Sequence, residues 1–367
     1  MNILVIGAGA IGCLVGGKLA QHGEKVMLVG RPRFAETVRG QGLTLIDENG
    51  RQTIRTIGVA GSIDEGVATG AYDLAIFTVK SYDTQNAVEE LVAACDAHRL
   101  RVPAVLSLQN GVGNEELLAT KLGSAQVIAG TITTPVTTLE PGVIQIDKPR
   151  YNVGISAWHP AAPKPLVAAT LAALQEAGFA AVNYPSAQGM KWTKLLMNMV
   201  GNASSAILDE PPEMVFADPM MIDLEIEAWR EALTVMDKAG IPPVNIGSYP
   251  FGWLGPLVRR SPNFLLRPIL RSQVGGARGG KMPSLHMDLH RDLHKDRQGS
   301  QLRSEIEWLN GAVVGRGEQL QVATPVNQML TEILVGLLDK PVERGLWQND
   351  HIRLAVTADE YRRRAGV

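Results

Sequence analysis

The feature that most constrains the fold is a glycine-rich turn near the start of the sequence. Residues 7–12 read Gly-Ala-Gly-Ala-Ile-Gly and match the pattern G-x-G-x-x-G. A short apolar strand, Asn2–Ile6, is predicted before the turn, and helical spacing of apolar residues follows it to about Gln21. In this context the first glycine permits the tight turn, the second lets a pyrophosphate approach the backbone, and the third allows close packing of helix on strand. The pattern predicts a dinucleotide site at Gly7, Ala8, Gly9, Ala10, Ile11 and Gly12; the alternative is a glycine turn without a ligand.

The first half of the chain alternates strand and helix signals. Short apolar segments typical of buried strands recur with helical segments between them, and a hairpin is predicted at Gly42–Val59. This alternation predicts an α/β Rossmann domain with a doubly wound, mostly parallel sheet and helices on both faces. The predicted strands are Asn2–Ile6, Lys25–Val29, Tyr72–Val79, Pro103–Leu108 and Val127–Thr133, with a helix near Asp83–Ala94.

The second half of the chain carries helical signals instead. From about Ala187 onward the apolar residues recur at helical spacing. We therefore place a boundary near Pro185-Ser186, between a Rossmann domain over residues 1–185 and a mostly α-helical domain over residues 186–367. The segment Ile241–Ser284 is rich in Pro, Gly, Trp and Arg and is predicted to be irregular or lid-like. The predicted helices are Met190–Ile207, Asp218–Ala239, Gln301–Leu320 and Gln328–Leu338.

Composition excludes several classes of protein. The 367 residues include 35 basic and 37 acidic side chains, and a formal charge of −2 disfavours nucleic acid and anionic membranes as partners. The uncharged run Leu122–Leu139 is interrupted by polar residues and proline, so it does not predict a membrane span. The first residues lack the basic start and cleavage site of a secretory signal, so we expect a cytoplasmic protein. Cys13 and Cys95 are accordingly expected to be free thiols.

The end of the second predicted strand bears on the choice of nucleotide. Sites for NAD place Asp or Glu there to bind the ribose 2′-hydroxyl, but residues 30–33 read Gly-Arg-Pro-Arg. Arg31 can pair with the 2′-phosphate that distinguishes NADP(H). The sequence therefore favours NADP(H) as the cofactor; the alternative is that Arg31 and Arg33 are solvated loop charges.

A lysine and two asparagines recur at intervals of four in the first predicted helix of the second half. The positions of Lys194, Asn198 and Asn202 predict that all three share one face of a continuous helix. The segment is otherwise apolar, and desolvation lowers the pKa of a lysine toward the range useful for proton transfer. The two amides can bind the oxygens of a keto acid. The alternative is a polar stripe on a solvated helix.

Several further motifs complete a pattern. Thr78-Val79-Lys80 ends one predicted strand, Gln109-Asn110-Gly111-Val112-Gly113 follows the next, and residues 191–198 read Lys-Trp-Thr-Lys-Leu-Leu-Met-Asn. Downstream, residues 304–311 form an acidic motif and residues 323–327 a closing Ala-Thr-Pro-Val-Asn. With the glycine turn, these motifs resemble the ketopantoate reductase (2-dehydropantoate 2-reductase) family over nearly the whole chain.

The resemblance implies a reaction and an assignment of residues. The reaction is NADPH-dependent reduction of 2-dehydropantoate to pantoate in pantothenate biosynthesis, in a cleft between the two domains. Lys194 would donate the proton to the carbonyl oxygen while NADPH delivers the hydride to the carbon. The remaining assignments are Asn110 beside the nicotinamide, Lys80 on substrate or cofactor, Asn198 and Asn202 on the substrate, and Glu305 toward the cofactor or the lysine. The alternatives are loop-capping polar residues for Lys80 and Asn110, and an exposed helix carboxylate for Glu305.

The sequence departs from the family pattern in two places. The best candidate for the substrate-binding serine is Ser284, but three tandem Leu-His-x-Asp units, residues 285–296, separate it from Glu305. We interpret this repeat as an insertion within a helix. A straight extension would displace Ser284 by about 12 Å, so either the repeat bulges out or the role of the serine has changed. The loop after the Lys194 helix, residues 209–213, also lacks the asparagine that the family often carries, which weakens ketopantoate as the substrate.

Other interpretations of the sequence stay open. His286, His290 and His294 recur at intervals of four, and two such histidines could bind a metal, but a solvated repeat face is favoured and no metal is predicted. The expected partners are a small 2-keto acid and, by analogy with the architecture, a second copy in a homodimer. The alternative functions are a paralogous NADPH-dependent reductase of another 2-keto acid or imine, and a non-catalytic NADPH-binding sensor.

Overall fold

The computed structural model describes residues 1–148, 151–247, 249–275, 281–290 and 302–366. The chain divides into two compact units. The first, here called the sheet unit, comprises residues 1–109 and 113–191, and the second, the helical unit, comprises residues 110–112 and 192–367. The short segment Asn110–Val112 thus belongs to the helical unit, although its neighbours in sequence belong to the sheet unit. The predicted boundary near Pro185-Ser186 stays a prediction.

The sheet unit contains the strands. They are β1 Asn2–Ile6, β2 Lys25–Val29, β3 Leu43–Asp47, β4 Gly50–Ile54, β5 Gly58–Ala60, β6 Leu74–Phe77, β7 Ala104–Ser107, β8 Val127–Ile132, β9 Val136–Glu140, β10 Val143–Ile146, β11 Asn152–Ala157 and β12 Ala180–Asn183. Eight of them form one sheet in the order β12-β11-β8-β7-β6-β1-β2-β5. Its neighbouring strands are parallel except for β8 and β11, which are antiparallel. The prediction of a mostly parallel sheet is confirmed.

A second, four-stranded sheet was not predicted. It has the order β4-β3-β10-β9. The predicted hairpin is confirmed for β3 and β4, where Asp47 pairs with Gly50 across the turn, but β5 pairs with β2 of the large sheet instead. The strands β9 and β10 complete the small sheet, and β10 lies parallel to β3.

Both faces of the large sheet are covered. The helices that follow its strands are α1 Ala10–Gln21, α2 Pro32–Gln41, α3 Ile63–Val67, α4 Thr84–Ala97, α5 Asn114–Leu122 and α6 Lys164–Glu176. Strand β1 shows the arrangement: Ile3 and Val5 pack into one hydrophobic core, while Leu4 and Ile6 pack into another on the opposite face. This alternation follows from the two-residue period of a strand. It leaves the carboxyl ends of the parallel strands as the edge where such sheets bind ligands.

The helical unit is built from α-helices around a single large core. The remaining helices are α7 Ala187–Met199, α8 Ala203–Leu208, α9 Pro212–Val215, α10 Pro219–Lys238, α11 Phe251–Arg260, α12 Asn263–Gly275, α13 Ser284–Leu289, α14 Asn310–Leu320, α15 Pro325–Asp339 and α16 His351–Ala365. The core takes buried side chains from α7, α10 and α15. None of the helices within the described residues is long and apolar enough to cross a membrane.

The prediction of one helix over Met190–Ile207 is wrong. Helix α7 ends at Met199 and α8 begins at Ala203. The cause is Gly201, which takes a φ of +61° and donates its backbone N–H to the Glu225 carboxylate at 2.9 Å instead of continuing the helix. Lys194 and Asn198 therefore share a helix, whereas Asn202 stands at the start of the next one.

The predicted single helix over Gln301–Leu320 is also wrong. Residues 306–308 form one turn of 3-10 helix and α14 begins only at Asn310, because Leu309 is non-helical and the Trp308 carbonyl accepts a hydrogen bond from the backbone N–H of Val112 at 3.0 Å. Glu305 consequently lies before the helix.

The segment Ile241–Ser284 was predicted to be irregular or lid-like. That prediction is wrong for part of the segment, because it contains α11 and α12. Their apolar residues Phe251, Val258, Leu266 and Leu270 are buried in the core of the helical unit, which offsets the cost of Pro256 and Pro268 inside the helices. The Leu-His-x-Asp repeat does not continue one helix either: α13 ends at Leu289, since His290 leaves helical geometry. The rest of the repeat, including His294, lies outside the described residues.

Candidate active site

The glycine turn has a shape that side chains would not allow. It follows β1, and Gly7 has a φ of +110°, which favours glycine. A Cβ on Gly12 would lie 2.1 Å from the carbonyl oxygen of Gly7. The Thr78 hydroxyl, just beyond β6, donates to the same oxygen at 2.7 Å and fixes the turn against the neighbouring strand. The turn is therefore held closely on its inner side.

The outer side of the turn is open, as a phosphate site requires. A Cβ on Gly9 would meet nothing within 4 Å, and Gly9 is exposed at the N-terminus of the twelve-residue helix α1. The N-cap residue Gly9 has no side chain with which to cap that terminus, so backbone N–H donors and the positive end of the helix dipole are available to an anion. Arg31 is exposed between β2 and α2, and residues 30–33 contain no carboxylate. The residues present therefore fit the pyrophosphate of a dinucleotide.

The ends of β6 and β7 are joined by a network of polar side chains. Gln109, which was not predicted as a functional residue, donates through Nε2 to the Val79 carbonyl at 3.0 Å and to the Thr84 hydroxyl at 2.7 Å. The Asn114 amide accepts from Thr84 and donates to Ser81. Lys80 lies half-buried immediately before Ser81. Gln109 falls within the Gln-Asn-Gly-Val-Gly motif, which was the available signal.

A buried ion pair supports the same strand end. The Lys191 ammonium contacts the Glu115 carboxylate at 2.9 Å, and both side chains are at most 3% exposed. Lys191 also donates to the backbone carbonyls of Gln109 at 2.7 Å and Gly130 at 3.3 Å. The ammonium thus fixes the carbonyl directly before Asn110. This role could not be predicted from a local motif, because Glu115 and Lys191 lie 76 positions apart (191 − 115).

In the helical unit, Lys194 is the first member of a series of hydrogen-bonded side chains that continues through two asparagine amides. Its ammonium donates to Oδ1 of Asn198 at 2.7 Å, one turn further along α7. The Nδ2 of Asn198 then donates to Oδ1 of Asn110 at 3.0 Å. Lys194 and Asn198 are both half-buried. Asn110 reaches this group because the short segment to which it belongs packs in the helical unit, where a Cβ on Gly111 would lie 2.3 Å from the Trp308 carbonyl oxygen.

Asn202 connects the same helix to Ser284. Its Nδ2 donates to the Asn198 carbonyl at 3.0 Å and to the Ser284 hydroxyl at 3.3 Å, while its Oδ1 accepts from the Leu285 N–H at 3.0 Å. Ser284 is the first residue of α13, so the Asn202 amide caps that helix. The structure therefore brings Ser284 beside Asn202, despite the displacement that a straight helical extension of the repeat would cause.

Glu305 is buried rather than exposed. It is only 3% exposed, and its backbone N–H donates to the Asp288 carboxylate at 3.3 Å. Its position ahead of the 3-10 turn places it next to the backbone that holds Gly111 and Val112. The helical unit thus assembles a lysine, a buried carboxylate, amides and a hydroxyl, a combination suited to donating a proton to a bound carbonyl and binding its polar substituents.

Comparison with known proteins agrees with this geometry. The sequence profile described as "Ketopantoate reductase PanE/ApbA" matches residues 3–158, and the profile of its C-terminal domain matches residues 186–337. A 2-dehydropantoate 2-reductase of Pyrococcus horikoshii is 31% identical over 241 residues, which cover 66% of this chain and 75% of that protein. One from Halobacterium salinarum is 29% identical, with 91% of this chain and 98% of that protein covered.

Solved structures share the fold. The PanE/ApbA family ketopantoate reductase of Ralstonia eutropha JMP134 superimposes with a TM-score of 0.74 at 26% identity, covering 93% of this chain and 99% of that one. A ternary structure of D-mandelate dehydrogenase with NADH and anilino(oxo)acetate also gives a TM-score of 0.74, but at 20% identity, covering 92% and 98%. The mandelate enzyme shows likeness of fold alone. From the two matching profiles and these relatives, the chain belongs to the ketopantoate reductase family and is an oxidoreductase of that family.

Proposed function

We propose that this protein reduces 2-dehydropantoate to pantoate with NADPH, as a cytoplasmic step of pantothenate biosynthesis. The observation that carries the proposal is the hydrogen-bonded series Lys194–Asn198–Asn110, in a chain whose relatives are named for this reaction. A half-buried ammonium held by an amide is a suitable proton donor to a carbonyl oxygen.

The chemistry divides between a hydride and a proton. Bound NADPH supplies the hydride to the carbonyl carbon. Lys194 donates a proton from its ammonium to the carbonyl oxygen, so that the ketone becomes a secondary alcohol and the lysine becomes a neutral amine. Asn198 accepts a hydrogen bond from Lys194 and thereby orients it. The buried Glu305 carboxylate is proposed either to favour the charged form of Lys194 or to contact the cofactor.

Cofactor binding is assigned to the glycine turn and to nearby polar groups. Backbone N–H groups of the turn and the N-terminus of α1 bind the pyrophosphate, and Arg31 binds the 2′-phosphate. The proposed cofactor residues are Gly7, Ala8, Gly9, Ala10, Ile11, Gly12, Arg31, Lys80 and Asn110.

Substrate binding is assigned to groups that can hold a carboxylate and a hydroxyl. Asn198, Asn202, Ser284 and Lys80 are the proposed contacts. Asn202 also positions Ser284, because its amide bonds Asn198, Ser284 and Leu285. A homodimer is proposed by analogy with the architecture.

The cofactor assignment has a direct test. Arg31→Ala removes the cation proposed to pair with the 2′-phosphate, so kcat/KM with NADPH should fall by about 10- to 100-fold, as expected for a lost charged hydrogen bond. The rate with NADH should not change, because NADH carries no 2′-phosphate. Arg33→Ala is the matched control, and equal losses in the two variants would contradict the assignment to Arg31.

The substrate assignment is tested by initial rates of NADPH oxidation. Ketopantoate should be turned over with a higher kcat/KM than other 2-keto acids such as phenylglyoxylate. A second candidate is a paralogous reductase of another 2-keto acid or an imine. It is favoured by the loop at residues 209–213, which lacks the asparagine that the family often carries. Tight NADPH binding without turnover of ketopantoate would overturn the first candidate and leave the second.

A further inference from the structure

Three side chains of the type that bind metals meet in the helical unit. One ligand atom from each of Asp209, His286 and His290 lies within 4.8 Å of the others. The Nε2 of His286 is 2.7 Å from Oδ1 of Asp209, and the Nε2 of His290 is 3.9 Å from the same oxygen. The two imidazole rings are stacked, with centroids 4.2 Å apart. The three groups therefore converge on one small volume.

The local structure holds these groups in place. His286 lies on α13 and His290 is the residue directly after that helix, and the stacking of their rings keeps the two side chains together. Asp209 ends α8 in the left-handed conformation, with a φ of +54°, which turns its carboxylate toward α13. The Gln348 amide donates to the other carboxylate oxygen at 3.2 Å. Side chains ordered by secondary structure and hydrogen bonds are a common feature of metal sites.

The surroundings leave one side open. The side chains of His286 and His290 are 13% and 7% exposed, whereas that of Asp209 is 34% exposed. An ion can therefore enter past Asp209. Among the described residues, no hydrogen-bond partner reaches the buried Nδ1 of His286, which is not the ring nitrogen that faces Asp209.

We propose that Asp209, His286 and His290 form a binding site for a divalent transition-metal ion, with Zn²⁺ the best fit and a water molecule as fourth ligand. Two imidazoles and a carboxylate suit zinc, and histidines four residues apart on a helix are a recurrent zinc-binding arrangement. Tetrahedral zinc with bonds of about 2.0–2.1 Å places its ligand atoms roughly 3.3 Å apart, so modest side-chain shifts complete the site. Binding of the ion would replace the hydrogen bond between Nε2 of His290 and the Ala206 carbonyl oxygen, which are 3.3 Å apart, and that oxygen could then accept a hydrogen bond from the metal-bound water.

The ion would attach α13 to α8 near the end of α13, in addition to the hydrogen bond that Asn202 makes at its start. Asn202, which caps the start of α13, precedes α8, and Asp209 follows α8. Binding of an ion would therefore tie α13 to both ends of α8. Since the ion binds the folded chain through residues from separate segments, it should raise the midpoint of thermal unfolding. The proposal concerns ion binding and does not depend on the reductase assignment.

The test is calorimetric titration of untagged, chelator-treated full-length protein with Zn²⁺. One ion per chain is expected, with a rise in the unfolding temperature at about 100-fold excess over Kd. Asp209→Asn keeps the shape and tolerates the left-handed backbone, and His286→Gln removes a ring nitrogen. Each should weaken binding by about 100-fold or more, because even outer partners of a metal site contribute 10- to 100-fold. His98→Gln is the matched control, since His98 is an exposed histidine hydrogen-bonded to Asp64.

Three results would overturn the proposal. The first is that the wild type does not bind Zn²⁺, and the second is that the wild type and Asp209→Asn bind it equally. The third is that Mg²⁺ binds as tightly as Zn²⁺, because imidazole ligands favour Zn²⁺ over Mg²⁺. If both variants fail to fold, the visible spectrum of the Co²⁺-loaded wild type decides. Intense absorption from tetrahedral Co²⁺ would support the site, and its absence would overturn it.

Discussion

The two units form their proposed binding groups in different ways. In the sheet unit, the glycine turn is one continuous segment, and its shape follows from where a Cβ fits, as at Gly9, and where it does not, as at Gly12. In the helical unit, Lys194 and Asn198 share one helix, but their partners Asn110, Asn202 and Ser284 come from separate segments and meet them only after folding. A binding site made of backbone groups can therefore be predicted from a short motif. A network of side chains cannot, because it depends on which distant segments pack together.

The largest expected effect tests the backbone side of this comparison. Gly12→Ala places a Cβ 2.1 Å from the Gly7 carbonyl oxygen and 2.6 Å from the Thr78 hydroxyl, where backbone must move. We expect the free energy of unfolding to fall by about 4 kcal/mol or more, at the extreme of single substitutions. Urea denaturation measures the loss.

Gly9→Ala is the matched control, because its Cβ meets open space. This variant should keep its stability but bind NADPH weakly, since the added methyl group stands where the pyrophosphate approaches. A stable Gly12→Ala protein, or a Gly9→Ala protein with unchanged NADPH affinity, would contradict this account of the turn.

The parts of the site that depend only on nearby residues could be predicted from the sequence. The glycine turn and the Lys194–Asn198 pair follow from spacing along a strand–turn–helix and along one helix. The position of Asn202 was missed because Gly201 breaks the helix in response to Glu225, 24 residues later (225 − 201). The placement of Asn110 could not be predicted either, because it depends on the packing of Gly111 against Trp308.

A second prediction concerns a long-range contact that the motifs do not reveal. Lys191→Met leaves the Glu115 carboxylate buried without its partner, so stability should fall by about 3–5 kcal/mol. Denaturant unfolding of this variant and of the double variant Lys191→Met, Glu115→Gln measures the effect. The double variant should recover part of the loss, because no uncompensated charge remains. Equal losses in both would show that the pair does not act through its charge.

A third prediction separates two asparagines of the helical unit. Asn202 is buried and bonds three partners, so Asn202→Ala should lower the free energy of unfolding by about 1–3 kcal/mol. Asn198→Ala should cost less stability, since Asn198 is half-buried, but should slow turnover because Lys194 loses the hydrogen bond that orients it toward Asn198. Thermal unfolding and initial rates on the same preparations distinguish the two roles. The reverse pattern would exclude the proposed division between positioning and proton transfer.

The smallest effect depends on pH. His351 lies between two carboxylates, with Nδ1 2.8 Å from Asp218 and Nε2 2.8 Å from Glu210. Burial alone lowers the pKa of His351, but the two hydrogen-bonded carboxylates outweigh it and raise the pKa above its ordinary value of 6.5. The resulting stabilisation is complete below pH 6.5 and is lost as the pH rises through the folded-state pKa.

His351→Asn should therefore destabilise the protein by about 1–2 kcal/mol at pH 5.5 and by less at pH 9. Urea unfolding at the two pH values is the measurement. A cost independent of pH would mean that the ring contributes through packing instead of charge.

The central claim is that the glycine turn holds the cofactor while the Lys194 group delivers the proton. The most direct test measures NADPH affinity and the rate of ketopantoate reduction in Lys194→Ala. This variant should bind NADPH with an unchanged Kd and show a kcat lower by about 10²- to 10⁴-fold, the range for a lost general acid. Turnover close to that of the wild type would exclude Lys194 as the proton donor, and full biological function without turnover would favour a non-catalytic NADPH sensor.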